Sequence, residues 1–372
     1  MFFITFSNLW SFSFFFFTSY LILITSVVAY LTPVLNTFAR HTNSKSKTYF
    51  SFVNSPDLLY VVGTPVVLIV TLLLLWTAPS FTAWFGHIAF TAFQLKITFF
   101  TLANFLLYLI IFTSVNYFSS REIYDYTIVT FNFLYWIILL FYANTIFTVI
   151  FVIEVIGALL FLLVITSTFS TAFFYRNLNL NYGHLFQSST PYSYLQSVLY
   201  LFWISLISSL NLFIFVLFLY LRLLTFDWYL LEHVFLYFIN ANSFKEIFAL
   251  SFSWFMILFC VFVKCGVTPL YIWKPTFFKG IPLYTLFFYI TFFYFHFYLF
   301  IINFLVVYLS EIFYFYLAVF WLFILSGLVM LIMVICESYY LKVFLAISSI
   351  LNSILVFLTL TSPHFIDTLF VM

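Results

Sequence analysis

Charge and cysteine are both scarce in this sequence, and each shortage closes off a class of protein. Only 6% of its 372 residues are Asp, Glu, Lys or Arg, too few to coat a water-soluble domain of this size. The 12 basic and 10 acidic residues leave a net charge of +2, spread so thinly that no nucleic-acid partner is expected. Three cysteines, Cys260, Cys265 and Cys336, lie in or beside apolar runs without CxxC or His-rich spacing. That excludes a metal or redox pair and leaves them as packing residues. The start, Met1 to Phe17, has no basic n-region, cleavage site or amphipathic presequence. The expectation is a chain synthesised inside an organelle. A count of 61 Phe and 28 Tyr against 7 Gly fits the codon bias of an AT-rich genome.

What is abundant is apolar surface: 66% of residues are hydrophobic and the mean hydropathy is +1.21, so the solvent for most of the chain is lipid. A membrane helix needs about twenty mostly apolar residues. Ten such stretches run approximately over 13–32, 58–78, 95–115, 126–143, 145–168, 194–222, 246–265, 283–305, 310–336 and 341–361. The fold expected is therefore all-α and membrane-integral. Polar connections fall at Asn36–Asp57, Phe118–Asp125, Tyr175–Ser193 and Thr225–Lys245, the last with a short interfacial helix around Asp227, Glu232 and His233. On alternate sides of ten spans, one side holds Arg40, Lys45, Lys47, Arg121, Arg176, Lys274, Lys279 and Lys342, and the other holds Lys96, Arg222 and Lys245. The basic side reads as the inside, the matrix for an organellar protein, with both termini on the opposite, intermembrane-space side.

Two ionisable residues sit well inside apolar spans, where insertion costs a few kcal/mol each. Glu154 lies mid-span in IFVIEVIGALLF, followed by Gly157 and Ala158, which are small enough to let a neighbouring helix approach. Lys264 lies in FCVFVKCGVTPLYIW, just ahead of Gly266 and Pro269. Glycine and proline there weaken the helical ladder, so a break is expected between Lys264 and Trp273, beside protein or a water-filled cavity. Position alone leaves Lys264 as an ion site or a lysine snorkelling from a helix end. Likewise it leaves Glu154 as a proton carrier or a carboxylate that bridges helices.

The segment Lys264-Cys-Gly-Val-Thr-Pro-Leu-Tyr-Ile-Trp-Lys-Pro, running on to Gly280-Ile-Pro-Leu, resembles the broken, lysine-bearing helix of NADH dehydrogenase subunit 2, an antiporter-like subunit of respiratory complex I. A second segment, Leu341-Lys-Val-Phe-Leu-Ala-Ile-Ser-Ser-Ile-Leu-Asn352, is similar to that family's basic residue followed by Ala-Tyr-Ser-Ser-Ile-x-His. The Glu154 helix lies upstream, where the family places its glutamate. The resemblance is specific over about 145–168, 260–296 and 337–355.

It implies an antiporter-like fold with N-terminal helices over 1–125, a first repeat over 126–305 broken near 264–273, and the start of an inverted second repeat over 306–372. It implies a proton-translocating subunit of mitochondrial NADH:ubiquinone oxidoreductase in the inner membrane. Such a subunit binds no cofactor itself, NADH and ubiquinone being used by the whole complex. Glu154, Lys264 and His296 are its expected proton-translocating residues, with the hydroxyls of Thr268 and Thr291 and water as carriers. The family's next lysine falls on Tyr294, and His296 two residues on is the substitute, or else a packed residue among aromatics. Asn352 stands where the family has histidine. Expected partners are other membrane-arm subunits, membrane lipids such as cardiolipin, and a separate polypeptide supplying the family's later helices against 310–336 and 341–361 and the polar residues Glu337, Lys342, Ser348, Ser349 and Asn352. The competing readings are a non-pumping scaffold of the same arm, the sister subunit 4 or 5, and a free-standing antiporter.

Overall fold

The computed structural model describes residues 81–114 except 84 and 85, 120–177, 191–224, scattered positions over 227–240, 244–303 except 268 and 269, 317–335 and 341–360. The stretches expected at 13–32 and 58–78, and also Thr268, Pro269, Cys336 and Glu337, lie outside the described residues.

The other eight apolar stretches are helical where they are described. They form α1 (Ala92–Ser114), α2 (Ser120–Tyr142), α3 (Ile146–Asn177), α4 (Pro191–Leu223), α5 (Phe244–Cys265), α7, α8 (Leu317–Ile335) and α9 (Leu341–Leu360), with a short α6 (Trp273–Gly280) between α5 and α7. Helix α7 is composite: α-helical over Leu283–Phe288, π-helical over Tyr289–Tyr294, and α-helical again over Phe295–Asn303. Among the described residues three helices contain runs long and apolar enough to cross a membrane, Ile146–Ser167, Tyr194–Leu223 and Ile247–Lys264, while α1, α2, α7, α8 and α9 hold shorter apolar runs. The chain is thus mostly helical and carries membrane-spanning candidates.

Hydroxyl residues are accommodated in these helices by bonding back to their own turns. Ser167, Ser197, Ser208, Ser251 and Ser253 each donate to a carbonyl three or four residues earlier. Each such bond satisfies the hydroxyl proton within its own helix.

Packing falls into two compact units. The first takes in Met1–Asn144 and Val155–Leu185. It holds a feature absent from the all-α expectation, a hairpin of β1 (Phe81–Ala83) and β2 (Ile88–Phe90) in antiparallel register. Asn144 pins this hairpin, its Nδ2 donating to the Gly86 carbonyl and its amide to the His87 carbonyl, both at 2.9 Å. Helix α1 opens on a capping box: the Thr91 amide donates to Gln94 Oε1 at 2.8 Å, and the Gln94 amide to Thr91 Oγ1 at 3.4 Å. Gln94 then spends its Nε2 on the Phe141 carbonyl at 2.9 Å. That carbonyl is among the last four of α2, which the helix itself leaves without a donor. Farther along, the Tyr108 and Tyr126 hydroxyls meet at 2.8 Å.

The second unit takes in Thr145–Glu154 and Phe186–Met372. Thr145 and Thr148 cap the start of α3 reciprocally. Helix α4 packs on α5 and α6, and α9 packs on α6 and α8. Trp254, Phe277, Phe278, Phe288 and Phe292 fill the interior at no more than 1% exposure. The outward faces are apolar too, with Trp203, Leu210 and Leu221 on α4 and Leu322, Val329 and Met333 on α8 exposed.

Replacing Gln94 by Ala removes both halves of its work, leaving the buried end of α2 short of a donor. Thermal unfolding of the full chain in detergent is expected to show a loss of about 1–3 kcal/mol. An unchanged midpoint would show that the cap and the Phe141 contact contribute nothing.

Candidate functional site

The site grows from the way α5 ends. Gly266 adopts φ +63°, its amide bonds the Val263 carbonyl at 3.2 Å, and the Val267 amide bonds the Phe262 carbonyl at 3.1 Å. These two bonds with a left-handed glycine make a Schellman cap, which stops the helix at Cys265 and satisfies two of its terminal carbonyls. The chain then turns through Leu270 to Val267 and Lys274 to Tyr271 contacts before α6 begins at Trp273. Trp273 Nε1 reaches back to the Val263 carbonyl at 3.2 Å, lashing the two ends of the break together.

Lys264 is the last residue but one of α5, so its charge stands at the negative end of the helix dipole. Its Nζ lies 2.5 Å from Glu154 Oε1, with the lysine side chain 8% and the glutamate 38% exposed. The other carboxylate oxygen, Oε2, is hydrogen-bonded by Ser209 Oγ of α4. Ser209 Oγ is also 2.6 Å from the Ser205 carbonyl. A hydroxyl has one proton to donate, so the geometry accommodates two arrangements. Either Ser209 donates to an ionised Glu154, or a protonated Glu154 donates to Ser209 while Ser209 donates to Ser205. A carboxylate held between an ammonium and a serine is thus a group that can take up a proton without losing its partners.

The sequence-predicted residues therefore divide. Glu154 and Lys264 meet. His296 lies on α7, outside that ion pair, fully buried, its Nδ1 2.6 Å from the Phe292 carbonyl and its ring 4.6 Å from that of Phe292. A carbonyl only accepts, so Nδ1 carries the proton there. Thr291 is exposed and donates to the Phe287 carbonyl of its own helix. Asn352 is also exposed, while Lys342 Nζ donates to the Ile281 carbonyl at 2.7 Å. A Cβ built at Gly157 meets nothing within 4 Å among the described residues.

Sequence reasoning missed two residues. Ser209 was hidden among the serines of α4, its only signal being a polar pair, Ser208–Ser209, in an apolar run. Lys274 stands in the sequence only as one of the cations of the basic side, but its side chain is wholly buried. Its Nζ stands 3.6 Å above the centroid of the Tyr294 ring and 5.9 Å from that of Phe278. Cation–π attraction offsets about 2 kcal/mol of the cost of desolvating an ammonium, which amounts to several kcal/mol. Without Lys274 the orientation count is seven against three. Among the described residues no three of His, Cys, Asp and Glu come together as a metal site.

Compared with known proteins, the chain matches no family model and no curated protein sequence.

Because Lys264 and Glu154 neutralise each other inside apolar surroundings, removing one charge should hurt more than removing both. In a double-mutant cycle of Glu154→Gln and Lys264→Met, read by unfolding in detergent, a coupling on the order of 1–3 kcal/mol is expected. Additive losses would mean that the pair contributes no stability.

Proposed function

We propose that the chain is a proton-translocating, antiporter-like subunit of a respiratory complex I membrane arm, built on ten membrane helices in the mitochondrial inner membrane with both termini toward the intermembrane space. The observation that carries this reading is the Lys264–Glu154 ion pair, placed where α5 is broken at Gly266. Its partners in this reading are the other membrane-arm subunits. No redox group is bound by the subunit itself, and NADH and ubiquinone are used elsewhere in the assembly.

Moving a proton against the membrane potential costs about 2.3 kcal/mol per 100 mV. A carrier must therefore change its hold on the proton by a similar amount between its loaded and unloaded states. Making and breaking the contact between Lys264 and Glu154 supplies a change of this order, because a charge pair in a protein interior interacts by several kcal/mol. Ser209 keeps the carboxylate hydrogen-bonded in either state, so the glutamate can part from the lysine without being stranded in apolar surroundings. Quinone reduction elsewhere in the complex drives the alternation by altering the field at the pair.

The scaffold reading draws support from Tyr294 and Asn352, neither of which is a cation at neutral pH. The two readings part on one substitution. Lys264→Met is expected to leave the assembly largely intact and to lower the proton-to-electron ratio measured in inside-out membrane vesicles. A ratio unchanged from the wild type would leave the scaffold as the better account.

A further inference from the structure

The Lys264–Glu154 pair is not the only charge that this fold encloses. Lys274, the second residue of α6, is 0% exposed. Its stem runs over Gly266, its Cδ 3.2 Å from where a Cβ on that glycine would stand. The residue that ends the Lys264 helix thus also makes room for the Lys274 side chain. Trp273, next to Lys274, bonds the carbonyl of Val263, next to Lys264. Both lysines therefore issue from one braced break in the chain. At its far end the Lys274 ammonium rests on Tyr294, the last residue of the π-helical turn of α7. The Tyr294 hydroxyl donates to the Ser349 carbonyl of α9 at 2.9 Å and accepts from the Tyr298 hydroxyl at 2.9 Å. The ring under the ammonium is thereby held from two helices.

The geometry points to Lys274 as a second proton-carrying station, following Lys264, on a path that runs from the α3–α5 pair toward α7 and α9. This rests on the pumping reading above. An apolar residue would fill the same space without desolvating a charge, and an ionisable group kept at such a cost inside a membrane fold marks an ion path. The step balances simply. An N–H bond breaks at the Lys264 ammonium and the proton crosses on water. An N–H bond then forms at the Lys274 amine, leaving Lys264 neutral beside Glu154 and Lys274 charged above Tyr294. No oxidant or reductant takes part.

The test compares Lys264→Met, Lys274→Arg and Tyr294→Leu in the assembled complex, by proton-to-electron ratio in inside-out vesicles and by the amount of complex formed. Arginine keeps the charge and the ring contact but does not give up its proton in proteins. A structural cation would therefore be replaced without loss, whereas a proton station would not. The expected result is full assembly of Lys274→Arg with a ratio as low as that of Lys264→Met. A wild-type ratio in Lys274→Arg beside a low one in Lys264→Met overturns this inference and leaves the pumping reading standing. An unchanged ratio in Lys264→Met overturns both. If Lys274→Arg does not assemble, Tyr294→Leu decides, since it removes the ring and leaves the lysine. About a tenfold slower proton release is expected for it, and a wild-type rate overturns the inference.

Discussion

The helix break and the groups around it depend on holding a positive charge where water is scarce. Lys264 is tolerated because α5 stops beside it, turning the helix's negative end toward the ammonium, and because α3 brings Glu154 within 2.5 Å. The stop in turn requires a residue that enters the left-handed region without a Cβ, and Gly266 does so at φ +63°. The same missing Cβ opens the space through which Lys274 passes. The helix ending and the room for a second buried cation are consequences of a single backbone conformation.

How much of this could be read from the residues depended on how far each feature is local. The helices were legible because twenty apolar residues in a row leave the backbone few alternatives in lipid. Glu154 and Lys264 were legible because a charge inside such a run is rare enough to stand out. The break was legible from Gly266, since glycine is the residue a Schellman cap favours. Lys274 was not. In Trp-Lys-Pro it has the appearance of a residue in a turn between spans, and it takes the packing of α4 and α9 on α6, with the Tyr294 ring of α7 against the ammonium, to enclose it. The hairpin at 81–90 also escaped notice, because three-residue strands in an aromatic sequence have no periodicity long enough to detect.

Ser209 shows a different limit. Its hydroxyl lies against the Ser205 carbonyl, as its neighbours on α4 lie against their own turns, and nothing in the sequence says which serine also meets a carboxylate. That choice is made by Glu154 on the adjoining helix. It leaves a single hydroxyl proton shared between a main-chain carbonyl and a carboxylate.

The π-helical turn of α7 has a mechanical consequence. A π turn holds one residue more than the α turn it replaces, so Tyr289–Tyr294 stores a spare residue in the middle of a helix whose flanks are regular. Passing that residue along the helix would turn the side chains it passes by about 100°, the angle one residue subtends in an α-helix. The ends of α7 need not slide for this to happen. The slack of α7 thus ends at Tyr294, the ring against which the ammonium of Lys274 stands.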